Sequence, residues 1–330
     1  MKLNSLLVTG AGLVLAACGS SGGDTPPVAS PPVSITIDAN NAPLVASVSY
    51  GAAQGSGEFG DIEGSLGPLG GSPGGVSKLD RAFGAAAKTA PGNSGSSVPI
   101  PEERVMCAID GWVTFSGAIA DPLTPTLTKD DFFEFFFEMC NEGTGEVTDG
   151  RLRSDVTSFS GDLFTSLYAL GMKFAFTTLQ ITEGTEVYTS HGDATVFLDA
   201  LNLPFAATSI SGNSMRVDSN TGSETLTNFS TDVTFDGNFF PAPYTMLASG
   251  TLDSTELSGV IDYSMDPLTK FEGFEGEFPH TGELLVEGEN SALLLVAEDN
   301  VNVTIHVDTN GDGTFDGTPI VTTWVELTSN

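Results

Sequence analysis

Apolar and polar positions alternate with a period of two over most of the chain beyond residue 103. From Trp112 to Ile119, Val113, Phe115 and Ile119 share one face while Trp112, Thr114 and Ser116 share the other, the pattern of a half-buried strand. From Asp131 to Cys140 the alternation sets Phe133, Phe135, Phe137 and Met139 against a reverse face of Phe132, Glu134, Phe136 and Glu138. Met172, Phe174 and Phe176 continue into Leu179 and Ile181 with the parity reversed, and a slip of that kind predicts a β-bulge or bend within one long strand. Similar runs recur at Ala194 to Leu198, Phe229 to Phe235, Tyr244 to Leu252 and Leu257 to Met265, separated by Gly- and Asn-rich breaks. A further run places Val301, Val303, Ile305 and Val307 opposite Asn302, Thr304, His306 and Asp308. Gly250, Gly259, Gly282 and Gly288 each precede or enter a strand, which repeated hairpin chemistry explains. No strand is followed by a convincing helix, so parallel crossovers are not expected. The expected fold is all-β: an antiparallel up-and-down meander of about a dozen strands, curled into a barrel-like or sandwich sheet so that its apolar face stays dry.

The first hundred residues read differently. Lys2 leads an apolar run from Leu6 to Ala17 that ends in Leu15-Ala16-Ala17-Cys18, the form of a bacterial lipoprotein signal. The run is too short to span a bilayer, which needs about 20 residues. Residues 1–17 are therefore expected to be cleaved, leaving Cys18 as the lipidated residue. The competing reading is an ordinary secretory peptide with a chance Cys18. Residues 18–102 are expected to be mostly a disordered Gly/Ser/Pro-rich tether. Within it, Val33 to Ile37 reads as a short strand, Asn41 to Gly51 as a minor helix with Leu44, Val45 and Val48 on its apolar face, and Val76 to Ala90 as another short helix. The β domain is expected to occupy residues 103–330.

Charge narrows the partners. There are 43 Asp plus Glu against 11 Lys plus Arg, a formal charge of -32. Such a surface repels phosphate backbones, so nucleic acid is excluded as a partner, and it equally disfavours anionic lipid headgroups. Beyond Cys18 there are two cysteines, Cys107 and Cys140. An exported compartment permits a disulfide, and pairing is the expected outcome; a thiol nucleophile would need a nearby base, and a metal site further ligands.

Asp308-Thr-Asn310-Gly-Asp312-Gly313-Thr-Phe-Asp316 is the one constellation that resembles a site. Oxygen side chains at alternate positions around a sharp glycine turn suit calcium, with Asp308, Asn310, Asp312 and Asp316 as side-chain ligands and Thr314 offering its carbonyl. The familiar calcium loop then wants a bidentate Glu where this chain has Pro319, so a carboxylate such as Glu326 would have to be borrowed. The alternative is a plain polar turn built on Asn310-Gly311 and Asp312-Gly313. Glu134 and Glu138 would sit about 13 Å apart on a strand, too far for paired carboxylate catalysis. His191, His280 and His306 fall in separate segments without metal-ligand spacing. Gly19-Ser20-Ser21-Gly22-Gly23 matches a nucleophile elbow only by letter, lacking the strand and helix around it.

Pro279, Gly282-Glu-Leu284-Leu-Val286-Glu-Gly288, Leu293 to Leu295, Val307-Asp308, Gly311-Asp312-Gly313, Asp316 and Thr322-Thr-Trp324-Val-Glu326-Leu327 together resemble the carboxyl end of a family of uncharacterised bacterial lipoproteins. Asn41-Ala42-Pro43 and the cysteine-flanked hairpin are similar as well. The resemblance implies a lipid-anchored β protein and supplies no catalytic residue. By the sorting preference of such lipoproteins, Gly19 after the cysteine implies the outer membrane. Two functions follow as expectations: a non-enzymatic structural or interaction module of the cell envelope, anchored through its N-terminal lipid, or a periplasmic carrier holding an apolar or lipid-like ligand within a curved sheet. A hydrolase ranks third.

Overall fold

A computed structural model of the chain describes residues 33–58, 98–120, 126–141, 143, 145–162 and 167–329. The signal-like stretch, Cys18, the Gly19 to Pro32 tether and the helix expected at Val76 to Ala90 lie outside the described residues. Within them, the strands in chain order are β1 (Val98–Met106), β2 (Asp110–Ile119), β3 (Phe132–Asn141), β4 (Glu146–Asp162), β5 (Leu167–Glu183), β6 (Glu186–Asn202), β7 (Phe205–Asp218) and β8 (Ser223–Asp236). They continue as β9 (Pro243–Ser254), β10 (Gly259–Ser264), β11 (Phe271–Phe274), β12 (Glu283–Gly288), β13 (Ser291–Ala297), β14 (Asn302–Asp308) and β15 (Ile320–Thr323). Two helices accompany them, α1 (Ala42–Glu58) and α2 (Trp324–Leu327).

All fifteen strands belong to one antiparallel sheet whose order follows the chain, with β11 docked beside β10 on the same edge of β9. The sheet does not close, and β1 and β15 are its two edges. β1 begins at Val98, five residues ahead of the expected boundary, and its Pro99 and Pro101 withhold amide donors from the free edge.

The reversed parity after Phe176 is a bulge, as its sequence predicts, and it is one of a row. Pairing registers shift at Asp110/Trp112, Phe137/Cys140, Asp149/Arg151, Phe176/Leu179, Asp193/Thr195 and Thr227/Ser230. Along this line Met139, Thr178 and Asn228 adopt positive φ, as do Gly111, Gly150 and Gly192. The extra residue lies on β3, β5, β7 and β8, whose inward faces change parity there, whereas β9 keeps one parity throughout, with Met246, Ala248, Leu252 and Ser254 buried. β5 shows the effect: Phe174 and Phe176 are buried before the bulge, Leu179 after it. For the same reason Met139, expected in the core beside Phe137, is instead 61% exposed.

Helix α1 corrects the expected division into tether and β domain. It runs through Gly51 to Glu58, and its buried stripe is Ala42, Val45, Ala46, Ser49, Tyr50 and Ala53, all at 0% exposure. Leu44 and Val48, predicted to face inward, are only partly buried. Small side chains at 46, 49 and 53 let the helix lie close against β7, β8, β9, β12, β13 and β14, which curl around it. That burial outweighs the roughly 1 kcal/mol cost of an interior glycine, the reason the sequence pattern stopped at Gly51. Tyr50 lies tilted against Trp324 at 4.6 Å and meets Phe271 edge-on at 5.9 Å, while Phe278 lies parallel to the Trp324 ring at 5.7 Å.

Ahead of α1, residues 33–37 insert as an extra extended segment where β10 and β12 diverge. Ile35 donates to the Val260 carbonyl at 3.2 Å, Val260 donates to Val33 at 3.0 Å, and the Glu289 amide donates to Ile35 at 2.6 Å. Side chains at 259 and 288 would collide with this backbone: a Cβ on Gly259 would stand 2.4 Å from the Val33 oxygen, and one on Gly288 2.3 Å from the Ile35 oxygen. Those glycines serve close approach of the chain rather than the hairpin turns expected of them. The described protein therefore has one core, to which residues 33–53 contribute from within what reads as tether.

Candidate functional site

The Asp308 loop follows β14 and is held by its own backbone. Asp308 is 1% exposed, and its carboxylate accepts from the amides of Asn310 at 3.1 Å, Gly311 at 2.8 Å and Gly313 at 2.8 Å. Burial works against its charge, but the Gly313, Asn310, Gly311 and Asp312 amides together outweigh it and hold the carboxyl below the usual range. Asn310 Oδ1 accepts from the Asp312 amide at 2.9 Å, and Asp312 accepts from the Thr314 amide at 2.8 Å. Asp316 is exposed beyond this ladder. The loop is a chain of Asx-type turns in which the Asp308, Asn310 and Asp312 side-chain oxygens accept from amides of the loop itself.

Glu326 is engaged elsewhere. It closes a capping box at the start of α2, accepting from the Thr322 hydroxyl at 3.0 Å while its amide donates to Thr323 Oγ1 at 3.1 Å. Among the described residues no group of three or more His, Cys, Asp or Glu is placed to hold a metal.

On the outer face of β1 to β4 the structure assembles what the sequence showed as separate pieces. Glu134 accepts from Arg153 at 3.0 Å, Glu138 pairs with Arg104, and Arg153 also chelates Asp155 at 2.7 Å. These two guanidinium groups and that of Arg151 cover the aromatic rings: Arg104 lies over Trp112 at 4.7 Å, Arg151 over Phe136 at 5.0 Å and Arg153 over Phe132 at 4.3 Å. The chain has only five arginines, and three of them stand here. This arrangement answers why rings and carboxylates alternate on one exposed face; each glutamate has its own cation, so the pair is not poised for acid/base work. The alternation of Arg151 and Arg153 with Leu152 was the readable signal, but only the register of β3 on β4 matches Glu134 to Arg153 and Phe136 to Arg151.

Cys107 and Cys140 form the expected disulfide, with Cα atoms 5.6 Å apart, stapling the β1–β2 turn to β3. A buried carboxylate escaped the sequence reading: Asp131, 2% exposed, accepts from the amides of Ala120 at 2.6 Å and Thr128 at 2.7 Å and so closes the approach to β3. The three histidines remain apart. His191 lies 3.8 Å from Asp218, a carboxylate already chelated by Arg216 at 2.6 Å, and His280 stacks on Phe274 at 5.4 Å. No protein family, curated protein or solved structure matches the chain.

Proposed function

We propose that the chain is a lipid-anchored bacterial envelope protein, directed to the outer membrane, whose β body is a non-enzymatic interaction module. The anchor rests on Leu15-Ala16-Ala17-Cys18 and the apolar run before it. The observation that carries the module reading is directional. The chain enters the body at Val33, beside the β9–β10 turn, and strands of 17 residues such as β4, β5 and β6 carry the sheet about 55 Å along their length to the opposite end. A body tethered at one end presents the other to its surroundings. Labelling growing cells with a palmitate analogue tests the anchor: label is expected on the wild-type chain and lost in Cys18→Ser, and an unlabelled wild type contradicts it.

A second reading, a carrier of an apolar or lipid-like ligand, is favoured by one observation. The Ser154 hydroxyl and the Tyr263 hydroxyl are buried on the apolar side of the sheet with no hydrogen-bond partner among the described residues, and a polar group in that position calls for one. Native mass spectrometry after mild extraction decides it: a bound amphiphile supports the carrier, and the bare mass opposes it.

A further inference from the structure

At the end of the sheet remote from Val33, successive turns hold apolar side chains in solvent. Leu167 opens β5, Leu201, Leu203 and Phe205 surround the β6–β7 turn, and Phe239 and Phe240 form the β8–β9 turn, with exposures from 39% to 97%. These turns touch. A Cβ on Gly161 would stand 3.0 Å from Leu201 Cδ2, and the Gly237 amide donates to the Pro204 carbonyl at 2.9 Å. The six side chains therefore belong to one apolar ridge, and such a patch on a folded body marks an interaction surface. The ridge is fixed in shape: Asp199 accepts from the Leu201 amide at 3.0 Å, and Asp236 accepts from the Asn238 amide at 3.0 Å and its side chain at 2.8 Å.

We propose that this ridge docks a protein partner whose matching surface is an apolar recess bordered by Lys and Arg. Charge selects that occupant. Asp162, Asp199 and Asp236 stand in the same three turns, and the described residues there include no Lys or Arg. Against a chain of net charge -32 these carboxylates repel anionic lipid headgroups and a second copy of the chain alike, and they attract a basic rim. Position agrees: the residues preceding Val33 join at the opposite end, so the ridge points away from whatever holds the N-terminus. The proposal rests on the reading of the body as an interaction module, and its test leaves the lipid anchor intact so that the two fail separately.

The test replaces Phe240, which is 97% exposed, with a photo-crosslinking phenylalanine analogue in the full chain in its native cells, with Phe239 as a second position and exposed Val321 as a control off the ridge. The expected result is one discrete protein adduct from 240 or 239 and none from 321. Its yield is expected to fall about tenfold in Asp162→Asn/Asp199→Asn/Asp236→Asn, which keeps the oxygen acceptors and removes the charge. Palmitate labelling and an unchanged melting temperature confirm that this variant is anchored and folded. Adducts only to lipid, adducts to a second copy, no adduct at either ridge position, or a protein adduct indifferent to the neutralisation would each overturn the proposal.

Discussion

At the scale of single residues, the bulge line carries the sharpest consequences. Gly150 sits at φ +112° with the Thr178 carbonyl 2.1 Å from where a Cβ would be, so both conformation and space exclude a side chain. Gly150→Ala is expected to lower stability by at least about 2 kcal/mol, measured by urea denaturation; an unchanged midpoint would mean that the bulge is absent. Carboxylates give a second prediction. The Arg216 guanidinium holds Asp218 below the usual carboxylate range, Asn302 does so for Asp299, and the Thr322 hydroxyl does so for Glu326. Because their folded values lie below the unfolded ones, their contribution is complete above the unfolded range of about 4 and is lost as pH falls through the folded values. Melting temperature is expected to fall progressively below about pH 4, and a flat profile down to pH 3 would contradict these contacts. Residue identity foretold the alternating faces and the disulfide partners; it did not foretell Met139 turning outward, because that bulge falls at the end of its alternating run, with only Cys140 after it to show the change of parity.

Among the elements, α1 and α2 meet through Tyr50 and Trp324, both at 0% exposure. Trp324→Ala is expected to cost about 3–5 kcal/mol through the void left among Tyr50, Phe271 and Phe278. Trp112, the other tryptophan, is 38% exposed, so the blue-shifted part of the fluorescence should vanish with this substitution; an unaltered spectrum would place Trp324 in water. At the other end of the chain order, the disulfide closes a separation of 33 residues, and Cys107→Ser/Cys140→Ser is expected to lose about 4 kcal/mol by loop entropy, read from denaturation with and without the bond. Strands were legible as elements because each buries one face, which imposes period two. The helix was read too short because its inner face is built from Ala46, Ser49 and Ala53, residues that carry little hydrophobic signal and acquire meaning only against a sheet at close range. At the Asp308 loop the sequence leaves an ion site and a plain turn both open, and the geometry shows the carboxylate engaged by backbone amides.

For the whole molecule, the antiparallel meander followed from the strand runs and the missing crossover helices. Its wrapping could not, since no local pattern says that residues 33–37 slot between β10 and β12 or that the sheet bends about a helix drawn from far upstream. The outer ladder of Arg104, Arg151 and Arg153 likewise arises only once four strands, β1 to β4, are in register. The second half of the sheet, from β7 to β14, is organised around α1, which packs against β7, β8, β9, β12, β13 and β14. Native-state hydrogen exchange on the amides of Val45 to Ala53 tests this most directly. The structure predicts protection equal to that of β13 and β14, released only by global unfolding, whereas exchange at the rate of an open chain while β13 and β14 stay protected would contradict it.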